Sequence, residues 1–88
     1  MSVAAYILCK VNSGMEKETC KKIAELSEVS VASIIYGEYD VIARVTVANL
    51  HALEDFISDK IAKIPGIVLT STMIIAQEFK GKPQRMSK

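Results

Sequence analysis

Apolar residues recur along this chain in two alternating regimes, one of period two and one of period three to four. From Val3 to Val11, Ala5, Ile7, Cys9 and Val11 fall on one face of an extended chain and Ala4, Tyr6 and Leu8 on the other. That pattern predicts a strand covered on both sides. Asn12-Ser13-Gly14 breaks the run. Ser13 with Glu16 three residues on has the form of a capping box, which predicts a helix over about 14–26. Cys20, Ile23 and Ala24 form its apolar side, and Glu16, Lys17, Glu18, Lys21, Lys22 and Glu25 its wet side.

The alternation returns at Val29–Tyr36 and again at Val41–Val47. The short link between them predicts an antiparallel hairpin, with Gly37 supplying the positive φ that a tight turn needs. Asn49 is placed to cap a second helix over 50–64, striped by Leu50, Leu53, Ile57, Ile61 and Ile64 and stopped by Pro65-Gly66. A fourth strand is expected from Ile67 to about Gln77, with Thr70 and Thr72 on the same face as Ile74.

An internal repeat supports this order. Lys22–Val29 aligns with Lys60–Ile67, and at the same offset Val3, Ala5 and Ile7 fall on Val41, Ala43 and Val45. Two βαβ halves of equal length predict an α+β, ferredoxin-like βαββαβ domain over residues 1–79, with both helices on one side of a four-stranded sheet. Residues 80–88, with Lys80, Lys82, Arg85 and Lys88, have no period and read as a mobile basic tail.

Composition adds a constraint. Half of the 88 residues are hydrophobic, and a domain this small has too much surface to hide them all. The sheet face without helices must keep several of Tyr6, Leu8, Ile34, Ile42, Val68 and Ile74. A second copy packed sheet to sheet, in dimeric α/β-barrel-type packing, is the simplest cover. No run is long enough to span a membrane and no signal peptide opens the chain, so a cytoplasmic protein is expected.

Little in the chain suggests catalysis or metal binding. Cys9 and Cys20 lack zinc or redox spacing and read as reduced, buried thiols, and His51 is a lone surface histidine. No nucleophile–base pair, metal set or phosphate loop is apparent, and no cofactor is implied. The net charge of +1 argues against direct, specific DNA binding. The basic tail reads as a solvated terminus before it reads as a weak nucleic-acid contact.

The densest chemistry lies in Tyr36-Gly37-Glu38-Tyr39-Asp40, between the two hairpin strands. Free amino acids carry a carboxylate and an ammonium on one carbon. Glu38 and Asp40 are acceptors for the ammonium, and Thr70, Ser71 and Thr72 bring hydroxyls for the carboxylate. Tyr36 and Tyr39 can wall a ligand side chain. Each has a plainer reading: Gly37 as turn glycine, Asp40 bonded to turn N–H groups or to Arg44, the threonines as β-formers, the tyrosines as oligomer contacts. One half of the repeat carries this chemistry and the other does not, since Ile74–Glu78 contains neither glycine nor tyrosine.

The G-x-Y-D turn, followed by Ile64-Pro65-Gly66-Ile67 and Thr70-Ser71-Thr72, resembles the C-terminal effector-binding (RAM) domain of Lrp/AsnC feast/famine regulators, over about residues 3–79. The resemblance implies sheet-to-sheet dimers assembling into rings of four or five, an octamer or decamer. It also implies an amino acid or related small metabolite bound between dimers. Tyr36, Gly37, Tyr39 and Asp40 are the strongest candidates to hold it. Full-length members carry an N-terminal helix-turn-helix, whereas this sequence begins at the first strand and so looks like a stand-alone form that acts through full-length relatives. A metabolite-storage oligomer, a pure interaction module and a small dimeric enzyme of monooxygenase or isomerase type remain as alternatives.

Overall fold

A computed structural model describes residues 2–82. Most of the expected basic tail, from Pro83 onward, lies outside the described residues. The elements are β1 (Val3–Val11), α1 (Glu16–Ala24), β2 (Val29–Ile34), β3 (Val41–Val47), α2 (Leu50–Asp59), a 3₁₀ turn (Ile61–Lys63) and β4 (Ile67–Ile74). The four strands make one antiparallel sheet in the order β2-β3-β1-β4. This is the ferredoxin-like arrangement that the repeat predicts.

Strand register decides which face is buried. Ala5 lies opposite Val45, Ile7 opposite Ala43 and Cys9 opposite Val41. Directly opposed residues share a face, and all six of these are completely shielded from solvent. Cys20 and Ile23 of α1, Leu53 and Phe56 of α2, and Ile61 of the 3₁₀ turn complete this core. Both helices therefore cover one side of the sheet, and non-directional burial of apolar surface holds the layers together.

Element ends depart from the expectation at four places. Ser13 does not cap α1: the N-cap is Met15, without a side-chain bond, and Glu16 Oε1 instead accepts from the Gly14 N–H at 3.1 Å. The cause is Gly14, whose φ of +89° cannot continue into a right-handed helix and delays the first turn. Ala24 is exposed at the end of α1, and the buried stripe takes in Thr19 instead. Thr19 is tolerated there because its hydroxyl donates to the Pro65 carbonyl at 3.2 Å.

The second helix starts where expected, with Asn49 Oδ1 accepting from the Ala52 N–H at 2.8 Å. It ends at Asp59, not Ile64, and tightens into the 3₁₀ turn, a common way for a helix to finish. Phe56, three residues after Leu53 on α2, and Ile61 of the turn are buried in the core, while Leu50 remains exposed. Lys60, at the junction, pairs with Glu28 at 2.7 Å and ties the end of α2 to the turn before β2. Strand β2 stops at Ile34 because the Ile35 N–H donates to the Asp40 carbonyl at 2.9 Å and closes the hairpin before Tyr36. Strand β4 stops at Ile74, short of Gln77, although the Ile75 N–H still bonds the Ala4 carbonyl at 2.9 Å.

The opposite sheet face carries no helix. Tyr6 and Leu8 of β1 lie there beside Ile42 and Arg44 of β3, with Ser71 and Met73 of β4 paired to Leu8 and Tyr6. Leu69 and Met73 are 53% and 57% exposed. Ile34 and Ile74, expected on this face, instead register with Val41 and Ala5 and point to the helix side of the two edge strands. Val68 sits beside a register shift between β1 and β4 and belongs to neither regular set.

Candidate functional site

The hairpin turn is built by two backbone bonds and one side chain. Gly37 has a φ of +144°, the left-handed side that a residue with a Cβ rarely adopts. Asp40 holds the turn to the sheet in three ways. Its N–H donates to the Cys9 carbonyl at 2.9 Å, its carbonyl accepts from Ile35, and its Oδ2 accepts from the Val11 N–H at 2.9 Å. The last bond has a local cause. The β1–β3 ladder ends at Cys9 opposite Val41, which leaves the Val11 N–H, two residues on along the same edge of β1, without a ladder partner. The Asp40 carboxylate satisfies it.

Arg44 is not the partner of Asp40. Its guanidinium turns to Glu78, with Nη2–Oε1 at 2.6 Å and Nε–Oε2 at 3.4 Å, and Nη1 donates to Thr46 Oγ1 at 3.3 Å. The pair holds the Glu78 carboxyl below the usual carboxylate range, through hydrogen bonding first and charge second.

Beside the turn, Lys10, Glu38 and Tyr39 line an open depression of about 350 Å³. Lys10 was not among the residues that the turn sequence points to. Only strand pairing brings it there, because Asp40 bonds to its neighbours Cys9 and Val11. The depression therefore combines a cationic donor, an anionic acceptor and an aromatic wall. A zwitterion such as an α-amino acid requires the first two together.

The other candidate residues are dispersed within one protomer. Tyr36 projects fully into solvent, at 102% exposure. Thr70 and Thr72 register with Cys9 and Ile7 and so lie on the helix side of edge strand β4. Ser71, opposite Leu8, lies on the helix-free face. The three hydroxyls do not converge on one point, nor with the turn. Strand alternation makes that unavoidable for adjacent positions.

Elsewhere the chemistry is quiet. Cys9 and Cys20 are free, buried thiols. Burial pushes the Cys9 thiol up to about 11, with the nearby Cys20 adding to it. His51 lies on exposed α2 within 3.8 Å of Glu54 and 3.6 Å of Asp55. Among the described residues, no group of three or more His, Cys, Asp or Glu side chains is placed to hold a metal ion. No helix among them is long and apolar enough to cross a membrane.

Comparison with known proteins matches residues 4–84 to the family model described as the Lrp/AsnC ligand binding domain. An HTH-type transcriptional regulator of Pyrococcus furiosus is 41% identical over 78 residues, 89% of this chain and 53% of the relative. The chain thus spans about half the length of the curated relatives it matches. Among solved structures, a hypothetical protein of Pyrococcus horikoshii superposes with a TM-score of 0.80 at 43% identity, covering 86% of this chain and 92% of that one. E. coli AsnC superposes with a TM-score of 0.85 at 25% identity, covering 93% and 56%. A transcriptional regulator of Neisseria meningitidis, solved as a complex with L-Met, shares the fold at a TM-score of 0.80 and 17% identity, covering 90% and 53%.

Proposed function

The chain belongs to the Lrp/AsnC ligand binding domain family, and from that premise we propose that it is a non-enzymatic sensor of amino acids or related small metabolites, whose output is a change of assembly. The observation that carries this reading is the depression beside the Gly37–Asp40 turn. There Lys10 and Glu38 offer opposite charges and Tyr39 a wall. Lys10 suits a ligand carboxylate and Glu38 its ammonium. Charges this exposed bind weakly in one protomer, because water competes for each. The site becomes effective when a second surface closes over it and excludes water.

The helix-free face supports a dimer as the first step of that assembly. Its apolar residues, Leu8, Ile42, Leu69 and Met73 among them, form a surface that a second copy would cover. Tyr36, fully exposed on a turn that Asp40 fixes, suits a contact between dimers, since tyrosine gains much area for little lost freedom. Ligands bound between dimers stabilise the assembled form by about 2.7 kcal/mol per site at a hundredfold excess over Kd. By reciprocity, assembly tightens ligand binding equally.

Mixed assembly with full-length family regulators follows from the same surfaces. The Pyrococcus furiosus regulator carries a domain 41% identical to this one together with as much chain again. A metabolite-dependent exchange of subunits would pass the signal to DNA without base contacts from this domain. A thermal-shift screen of the twenty amino acids, with light scattering on each hit, tests the proposal. At least one amino acid should raise both Tm and mean mass. If none raises either, the domain is an interaction module without a metabolite ligand.

A further inference from the structure

The C-terminal segment after β4 does not run on past the sheet. Ile75 still pairs with Ala4 of β1, yet Glu78 reaches Arg44 of β3, on the far side of β1. Two strand spacings amount to about 10 Å, and four residues from Ile74 span at most about 14 Å. The Arg44–Glu78 link therefore spans β1, through the chain and the two side chains together. It crosses on the helix-free side, because Arg44 alternates with Ala43 and Val45, both buried beneath the helices.

Arg44 is an awkward residue for that face. It is set among apolar neighbours, and Tyr6 lies directly opposite it on β1. A guanidinium there opposes any pairing that removes water, because the charge would be buried without a counter-ion. Glu78 answers it with two hydrogen bonds of 2.6 and 3.4 Å from the same chain.

We infer that residues 75–78 form a built-in clasp, which delivers the Glu78 carboxylate to Arg44 so that the guanidinium in the middle of the helix-free face is neutralised when a second copy covers it. The clasp rests on the sheet-paired dimer proposed above. The occupant of the face is that second copy, for two reasons. Apolar side chains from β1, β3 and β4 make the patch continuous across three strands. Its central cation, Arg44, is already matched within the protomer, while Lys10 stands at the end of β1 beside the turn, so the middle of the face needs no oppositely charged partner. An acidic protein partner, by contrast, would have to displace Glu78.

Sedimentation equilibrium across a range of protomer concentrations reads the clasp directly. Glu78→Gln keeps shape and hydrogen-bonding capacity but leaves Arg44 unneutralised, and should weaken the dimer at least about a hundredfold. Arg44→Met combined with Glu78→Gln removes the charge altogether and should restore dimerisation to within about tenfold of wild type. Far-ultraviolet circular dichroism establishes that each variant is folded. If Glu78→Gln dimerises like wild type, the clasp is wrong while the sheet-paired dimer stands. If Glu78→Gln is weak and the double variant is equally weak, charge neutralisation is wrong. If wild type is monomeric at every concentration, the dimer and the clasp fall together.

Discussion

Replacing Asp40 by alanine separates the structural role of this carboxylate from any contact with a ligand. In the folded domain, Asp40 Oδ2 accepts from the Val11 N–H at 2.9 Å, just past the end of the β1–β3 ladder. Val11 is buried, so water replaces the lost acceptor poorly. A hydrogen bond to a charged acceptor contributes about 1.5–3 kcal/mol, and the orphaned N–H retains its desolvation cost. Asp40→Ala should therefore destabilise the domain by about 2 kcal/mol. For a chain of this size that corresponds to a Tm lowered by about 8–16 °C. Asp40→Asn keeps an oxygen in place and should cost about half as much, since only the charge is lost. Urea denaturation at one fixed protomer concentration measures both, because assembly otherwise shifts the midpoint. Asp40→Ala within about 0.5 kcal/mol of wild type, the range of ordinary surface substitutions, would refute the bond's role. If Asp40→Asn retains the ligand-induced Tm rise, Asp40 positions the turn, and Lys10 and Glu38 hold the ligand.

Gly66→Ala should cost about 2–4 kcal/mol, measured by the same denaturation. Its φ is +93° and an added Cβ would lie 2.9 Å from both Met15 Cε and Thr19 Oγ1. Cys9 should resist alkylation at pH 8 in the folded protein and react fully in denaturant, as followed by mass spectrometry, because burial pushes its thiol up to about 11. Lys60 holds the Glu28 carboxyl below its ordinary value of 4.5, chiefly by hydrogen bonding. Such a depressed group stabilises the fold fully above the unfolded value and loses that contribution as pH falls through the folded one. Wild type should lose stability below pH 4.5 more steeply than Lys60→Met, as read from urea midpoints along a pH series.

What could be read from the chain follows the range of the forces involved. Alternation and the repeat between halves placed every strand, because burial of Ala5, Ile7, Val41 and Val45 is dictated by period alone. Asn49 was legible as a cap because capping is local. Ser13 misled because Gly14, one residue on, has the freedom to leave the helix path, and the local motif could not register that choice. Phe56 follows Leu53 at a spacing of three and Ile57 at four, and spacing alone did not choose Phe56; the end of α2 depended on the 3₁₀ turn, a change of pitch with no clear residue signal. At the site, Gly37, Glu38, Tyr39 and Asp40 were legible as a cluster. Lys10 was not, because it reaches the turn only through β1–β3 pairing across about thirty residues of chain. Nor does the Arg44–Glu78 pair leave a trace in sequence spacing. A lysine at the exposed end of the strand that pairs beside a charged turn is the signal that a register argument would have found.

The central property of this domain is the proposed response to an amino acid by a change in how many copies assemble. Sedimentation velocity at micromolar protomer, run without ligand and then with each thermal-shift hit, measures it most directly. A dimer is expected in the absence of ligand and a larger, discrete species with it. A boundary that stays in one position at every ligand concentration would contradict it.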